Sequence, residues 1–243
     1  MSFEDWLQLI AGLVDTAQRG HLSGHHNLHS LYLLRTNATV RNFYARCNDC
    51  YIDGMAVRLP LAGARVATAH SQRFSLMDTF PALLERARQQ SWKIFYLGSD
   101  QAVIEKARER LSREFPGLNM ELHQGYFEDD RQLIEKINTL RPDLLLVGMG
   151  MPRQESWLLQ HIDQLDVVVA AQAGATLDYF AGAQPKPPGW MSRLGLAWLY
   201  RLAHNPQRLW RRYLVEPWSL VLPTLKLWFG LGSIDPTKTG GGQ

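Results

Sequence analysis

The chain has 243 residues, of which 46% are hydrophobic and 20% are charged, and its formal net charge is +3. It is too apolar for a disordered protein and too evenly mixed for a collagen or a coiled coil, so we expect a soluble, folded chain of one large or two small domains. Its two cysteines cannot form a disulfide framework, and the early acidic residues Glu4 and Asp5 argue against a secretory signal, which favours the cytoplasm.

Apolar residues recur every three or four positions from Phe3 to Ala17, which predicts an amphipathic first helix that ends near Gly20. The segment His26–Leu34 fits neither the strand period nor the helix period cleanly. A short strand and the start of a helix both stay open as interpretations of it.

The middle of the chain repeats one pattern, a short apolar run that leads into a Gly or Asp and then into an amphipathic segment. The runs are Cys50–Ile52, Lys93–Leu97, Leu144–Val147 and Val167–Ala171. Helices are predicted after the second run, as far as about Phe115, and after the third, from about Arg153. This alternation predicts an α/β fold with a mostly parallel sheet that is covered by helices on both faces.

The chain changes in character around Pro185, where prolines come close together. We therefore predict an α/β domain over residues 1–185 and a helical appendage over residues 186–243. Within the appendage the sequence predicts helices over about Met191–Ala203 and Pro206–Leu214.

Ligands of open α/β sheets bind beyond the carboxyl ends of the strands, so residues that follow the apolar runs are the first functional candidates. Asp53 is one, since a carboxylate there can take a proton from a hydroxyl nucleophile. The alternative is an Asp-Gly turn without chemistry. In Val147–Glu155, the backbone N–H groups near Gly148 and Gly150 can hold a phosphate. The third glycine of a dinucleotide site and the lysine of a P-loop are missing, which disfavours an oxidoreductase.

Two further clusters have spacings known from metal or redox sites. Cys47 and Cys50 are separated by two residues, but a second ligand pair is missing, and a structural role is the favoured interpretation. Four histidines also lie close together in the sequence, without an acidic or cysteine partner among them, and we expect no metal there; they are His21, His25, His26 and His29.

The appendage combines basic and aromatic residues. Lys186–Val215 holds six basic residues, no acidic residue and several Trp and Tyr side chains. Arg208 and Arg211 share a helix face and suit phosphate oxygens, whereas a solvated basic face is the alternative. The near-neutral net charge argues against nucleic acid.

The segment Pro217–Leu231 is apolar, interrupted by Pro223 and Lys226, and too short to cross a membrane. A basic helix followed by such a segment predicts a peptide in the membrane interface, with arginines at anionic head groups. The alternative is that these apolar residues pack on the α/β core.

Taken together, the motifs resemble the WecG/TagA/CpsF family of bacterial glycosyltransferases over nearly the whole chain, from about His26 to Tyr213. The resemblance rests on Asp53 and Gly54, Gly125–Phe127, Val147–Glu155, Asp178–Gly182, Gly195–Arg201, and Pro206 with the arginines 208, 211 and 212.

The resemblance implies a Rossmann-like domain that transfers a hexose, of the N-acetylmannosamine type or a related one, from a UDP-sugar to a polyprenyl-diphosphate-linked saccharide with inversion. It implies a peripheral position on the inner face of the cell membrane, where the appendage helps to close the site; the oligomeric state stays open. No Asp-x-Asp pair occurs where a divalent ion would bridge UDP, so we expect no metal cofactor. Asp53 would be the general base, Asn27 and Gln154 would line the pocket, and Arg73 would aid the site. The diphosphates would be bound by Arg201, Arg208 and Arg211.

The sequence departs from the family pattern at several positions. The first strand is expected to be missing or degraded, and His25 stands where Thr is usual. Leu76 replaces a Gly, Lys186 an Arg, and Ala197 a Glu. These departures leave a second hypothesis, a membrane-associated scaffold of the same fold that is impaired in catalysis.

Overall fold

The computed structural model describes residues 1–53, 74–193 and 196–229. In this part of the chain one sheet is formed by the strands β1 His21–His26, β2 Asp49–Ile52, β3 Ile94–Gly98, β4 Met120–His123, β5 Leu144–Gly148 and β6 Val169–Gln172. Their order across the sheet is β2-β1-β6-β5-β3-β4, and every neighbouring pair is parallel. The predicted α/β fold with a parallel sheet is therefore confirmed.

Helices surround this sheet. Those before the appendage are α1 Phe3–Asp15, α2 Leu28–Thr36, α3 Ala38–Arg46, α4 Leu76–Gln89, α5 Gln101–Glu114, α6 Asp130–Leu140, α7 Arg153–His161 and α8 Thr176–Phe180. The first helix begins at a capping box, in which Ser2 and Asp5 bond each other's backbone N–H groups. It ends at Asp15, earlier than the predicted end near Gly20.

The sheet separates two hydrophobic cores. Ile94 and Tyr96 face one core with α1, α4, α5 and α8, whereas Phe95 and Leu97 face the other with α3, α6 and α7. Side chains of a strand alternate between faces, so an apolar strand such as β3 or β5 is buried on both sides. The rigid sheet fixes where each strand ends, and with that the positions of the residues that follow.

The first strand, expected to be missing or degraded, is present, since β1 lies between β2 and β6. The strand escapes notice in the sequence because its residues other than Leu22 are small or polar. Ser23 is fully buried, where its Oγ accepts a hydrogen bond of 2.9 Å from Trp6 Nε1 and donates one of 2.8 Å to Asp49. Hydrogen bonds therefore replace the apolar contacts that a strand prediction looks for.

The segment that stayed open divides into both alternatives. Strand β1 ends at His26, and α2 begins at Leu28. Asn27 lies between them as the N-cap, and its side-chain oxygen accepts a 3.0 Å hydrogen bond from Ser30 N. The segment holds only the last residue of β1 and not the whole of α2, so neither period is complete within it.

The appendage is helical, as predicted, but more divided. Its helices are α9 Gly189–Arg193, α10 Ala197–His204, α11 Pro206–Trp210, a π-helical turn over Arg211–Val215, and α12 Trp218–Trp228. The domain boundary at residue 185 stays a prediction.

The described part of the appendage exposes large apolar side chains. Trp218 and Phe229 are 73% and 72% exposed, and Trp190 is 58% exposed, whereas Leu220 is buried. Of the side chains described in residues 217–229, Leu220 is the one that is buried. Among the described helices, none has both the length and the apolar character needed to cross a bilayer.

Candidate active site

A cavity of about 450 Å³ lies at the carboxyl ends of β1, β2 and β6, with the appendage on its outer side. Most predicted site residues meet there. Those that line it are Asn27, Asp53, Gly150, Gln154, Arg201 and Arg211. The structure thus brings together residues that are up to 184 positions apart, although their roles stay predictions.

Asp53 directly follows β2 and is half-buried in the cavity wall. Its backbone N–H donates a 2.8 Å hydrogen bond to the carbonyl of His26, which ties it to the end of β1. Two guanidinium groups of the appendage, those of Arg201 and Arg212, are close enough to be stabilised by its negative charge. The backbone of Asp53 is thus held in place. Its carboxylate lies in the same cavity as the arginines of the appendage, Arg201, Arg211 and Arg212, which we call the cationic wall.

Arg201 reaches the cavity from α10. Its Nη2 lies 3.4 Å from the sulfur of Met77, and its guanidinium carbon lies 5.3 Å from the ring centroid of Tyr179. Its Nε is buried and has no hydrogen-bond partner within the described ranges. A ligand oxygen that accepts from this guanidinium would satisfy such a donor.

Arg212 also lines the cavity and was not among the predicted binding residues. Burial lowers its pKa below the ordinary value, and the nearby Arg201 acts in the same direction, whereas Tyr213, Glu216 and Asp53 oppose the shift. Two neighbouring guanidinium groups that repel each other favour an anion between them.

The appendage is joined to α2 by a hydrogen bond between His29 and Glu216. Nδ1 of His29 contacts Oε2 of Glu216, and both side chains are about 15% exposed. Burial lowers the pKa of His29, Arg212 lowers it further, and Glu216 opposes both. Next to it, the guanidinium of Arg35 donates to the carbonyl of Ser219. These contacts fix the appendage to the helix that Asn27 caps.

A buried network of three side chains lies under the cavity. Gln154 and Gln172 both donate from Nε2 to Oε1 of Glu155, the first over 2.8 Å. In turn, Gln172 accepts a 2.7 Å hydrogen bond from His25 N, and Gln154 accepts one of 3.1 Å from Gly174 N. Glu155, which the sequence reasoning missed, therefore orients Gln154.

We expect Glu155→Gln to remove a pH dependence of stability. Burial raises the pKa of Glu155 above its ordinary value of 4.5, although the hydrogen bonds from Gln154 and Gln172 oppose this shift. Between 4.5 and the raised pKa the native state holds a proton that the unfolded state has lost, so the free energy of unfolding falls as the pH rises through this interval.

Urea unfolding from about pH 4 to about pH 8 measures this effect as the difference between wild type and Glu155→Gln. The difference should fall with rising pH. The exposed Glu128, changed in the same way, is the control and should leave the wild-type pH profile unchanged. If the difference in the free energy of unfolding between wild type and Glu155→Gln did not change with pH, the raised pKa of Glu155 would be contradicted.

The glycine that ends β5, Gly148, and the one that follows the strand, Gly150, have different surroundings. Gly150 lines the cavity and has a φ of +79°, a conformation that favours glycine. Gly148 lies underneath: a Cβ built there would lie 2.0 Å from Tyr96 Oη and 2.6 Å from the carbonyl oxygen of Gly174. That Gly148 contacts the substrate stays a prediction, since the cavity lining does not include it.

Gly148→Ala is expected to destabilise the fold by about 1–3 kcal/mol, because the methyl group has no room. Gly12→Ala is the matched control. Gly12 is exposed within α1, and a Cβ added to it would meet no atom within 4 Å, so the same change should stabilise by about 0.5–1 kcal/mol. Urea unfolding of both variants measures the two changes in the free energy of unfolding, which should have opposite signs. Equal stability of Gly148→Ala and wild type would show that the site can relax.

His25, a departure from the family pattern, lies in the cavity wall and is 6% exposed. Burial lowers its pKa to about 4, and the nearby Asp53 only partly opposes this shift. The imidazole is therefore neutral at neutral pH. Its buried Nδ1 has no hydrogen-bond partner in the described part of the chain.

The other predicted positions are distributed differently. Arg73 lies outside the described residues, as does the side chain of Arg208, although α11 includes its backbone. Leu76 begins α4 and lines the cavity, Ala197 begins α10, and Lys186 forms a 3.0 Å ion pair with Asp78.

The four clustered histidines have different partners, although His25 and His29 line the same cavity and His26 stacks on Tyr44. His21 contacts Asp49, His29 contacts Glu216, and His25 lies in the cavity wall. Within the described residues, no three His, Cys, Asp or Glu side chains are arranged to hold a metal ion. The absence of a cofactor stays a prediction.

A parallel sheet with a polar cavity at the carboxyl ends of its strands is typical of the α/β proteins that bind nucleotides. The sequence model of the glycosyl transferase WecG/TagA/CpsF family matches residues 1–232. The chain belongs to this family.

Two bacterial relatives share the name N-acetylglucosaminyldiphosphoundecaprenol N-acetyl-beta-D-mannosaminyltransferase. The protein from Bacillus spizizenii is 35% identical over 146 residues, which are 60% of this chain and 56% of the relative. The protein from Staphylococcus aureus strain MW2 is 29% identical over 192 residues, 75% of each chain. The chain thus spans little more than half the length of the Bacillus relative.

Proposed function

We propose that this protein transfers an N-acetylated hexose from a UDP-sugar to a polyprenyl-diphosphate-linked saccharide, with inversion at the anomeric carbon. The supporting observation is that Asp53, the amides Asn27 and Gln154, and guanidinium groups of the appendage line one cavity in a member of this family. The names of the relatives support an acceptor of the N-acetylglucosaminyl-diphosphoundecaprenol type.

In this mechanism Asp53 removes the proton of the acceptor hydroxyl while its oxygen attacks the anomeric carbon. The bond from that carbon to the UDP oxygen breaks on the opposite side, which inverts the configuration. Negative charge then grows on the leaving diphosphate. Arg201, Arg211 and Arg212 neutralise it, since donors held in place before the reaction stabilise developing charge most effectively.

The exposed aromatic side chains of the appendage support attachment to the inner face of the membrane, where a polyprenyl lipid resides. Tryptophans prefer the bilayer interface, and a basic residue near an anionic surface contributes about 1 kcal/mol. Trp190, Trp210 and Trp218 are each about half exposed or more. This position would bring the lipid diphosphate to the guanidinium groups.

The experiment that tests this function is UDP release from a panel of UDP-N-acetylhexosamines, with a short-chain polyprenyl-diphosphate N-acetylglucosamine as acceptor. Release that requires both substrates, with a product of inverted anomeric configuration by NMR, is expected. Binding of UDP-sugars without release of UDP would favour the catalytically impaired scaffold instead. The departures from the family pattern at His25 and Leu76, which both line the cavity, motivate that alternative. A chelator added to the assay tests the predicted independence of metal.

A further inference from the structure

The two cysteines lie side by side against Gly24 of β1. Cys47 is the C-cap of α3, and Cys50 is in β2, where it is paired with Gly24 across the parallel strands. A Cβ built on Gly24 would lie 2.9 Å from Sγ of Cys50 and 3.0 Å from Sγ of Cys47. Both sulfurs therefore fill the space that a larger residue at position 24 would need.

The sulfurs also contact each other. Cys47 donates a hydrogen bond to the sulfur of Cys50, and both cysteines are free thiols. Cys50 is exposed, whereas Cys47 is half-buried behind it. Thiol–disulfide exchange needs such a pair, with one sulfur that a reagent can reach and a second that can displace it.

The surroundings make the two thiols chemically unequal. The hydrogen bond from Cys47 and a second one from His26 lower the pKa of Cys50 to about 6. The same contact with Cys50, together with burial, raises the pKa of Cys47. Other titratable groups that face the pair are Tyr44 on α3, Asp49 and Tyr51 on β2, and Glu155 on α7.

We propose that Cys47 and Cys50 are a redox-active pair that a low-molecular-weight disulfide, such as oxidised glutathione, converts to an intramolecular disulfide. The Cys50 thiolate attacks one sulfur of the reagent, whose S–S bond breaks and releases one glutathione thiolate. Cys47 then loses its proton to solvent and attacks the Cys50 sulfur, which releases the second glutathione. Two electrons pass from the cysteines to the reagent.

This pair is distinct from the proposed transferase site. Neither cysteine is among the residues that line the cavity, although Asp53 follows Cys50 by three positions. The chemistry can therefore be measured on the protein itself, without substrates. If the disulfide did not form, the proposed transferase function would be unaffected. If the transferase assay failed, disulfide formation could still be measured.

The experiment incubates the native full-length chain with oxidised glutathione and follows intact mass and free thiols. We expect the loss of two hydrogens, no retained glutathione, and a peptide that links Cys47 to Cys50. The rate of alkylation of Cys50 by iodoacetamide should rise with a midpoint near pH 6.

Two single variants separate the roles. Cys47→Ser should stop at one glutathione bound to Cys50, because the displacing sulfur is missing. Cys50→Ser should react far more slowly than wild type, since the remaining thiol is half-buried and has a raised pKa. Circular dichroism of each variant checks the fold. Wild-type protein that keeps both thiols, or that retains glutathione as Cys47→Ser does, would overturn the proposal.

Discussion

Asp53→Asn is expected to lower the turnover of sugar transfer by about 10²- to 10⁴-fold, the range in which general base catalysis contributes. The amide keeps the shape of the side chain but cannot take a proton. The backbone bond from Asp53 N to His26 is unaffected, so the end of β2 should keep its place. The measurement is kcat from UDP release, together with the dissociation constant of the UDP-sugar.

Asp78→Asn is the matched control, since it makes the same chemical change on α4, outside the cavity lining, where Asp78 pairs with Lys186. It should retain nearly full turnover. If Asp53→Asn also retained it, another group would have to accept the proton, and the proposed mechanism would fail at its first step.

Arg201→Ala is expected to lower kcat by about 10²-fold, comparable to the loss of one donor to a developing oxyanion. The effect on the KM for the donor should be smaller, because the diphosphate gains most of its charge only when the bond to the sugar breaks. Arg201→Lys should lie in between, since it keeps the charge but loses the planar fork. Steady-state kinetics with saturating acceptor measures both parameters.

The control for this series is Arg131→Ala, because Arg131 is an exposed arginine on α6 whose side chain is 88% exposed. Its kinetics should equal those of the wild type. A rise in KM with an unchanged kcat for Arg201→Ala would mean that Arg201 binds the ground state and the transition state equally. Because Arg201 also contacts the ring of Tyr179, its removal could disturb the structure. Thermal unfolding of the variant checks for this.

Much of the sheet could be predicted because its central strands are apolar on both faces. The runs that predict β3, β5 and β6 agree with the observed strands to within two residues at each end. The place of Asp53 in the cavity could be predicted as well, since a residue that directly follows a strand lies at the edge of the sheet where ligands bind. Strand β1 could not, because the hydrogen bonds that bury Ser23 involve residues far away in the sequence.

The cationic wall was only partly predictable, for a reason that lies in the backbone. The prediction that Arg208 and Arg211 share a face assumes a regular α-helix. Arg211–Val215 is instead a π-helical turn, in which Glu216 N bonds the carbonyl of Arg211. The helical spacing then no longer fixes which side chains share a face, and both Arg211 and Arg212 line the cavity.

The network around Glu155 was missed for another reason. A glutamate that follows a glutamine at the start of a helix is typical of a solvated first turn. Only the three-dimensional structure shows that Gln172, at the end of β6, closes over it. The signal that could have found it is Gln172 itself, a polar residue at the end of an otherwise apolar run.

The hydrogen bond between His29 and Glu216 joins the appendage to the same first turn of α2 that Asn27 caps. The appendage, which forms the outer wall of the cavity, is therefore connected directly to α2 at this point. A displacement of the appendage must either break this hydrogen bond or rotate α2 along with it. The appendage and α2 can therefore separate only when this hydrogen bond and the one from Arg35 to Ser219 are both broken.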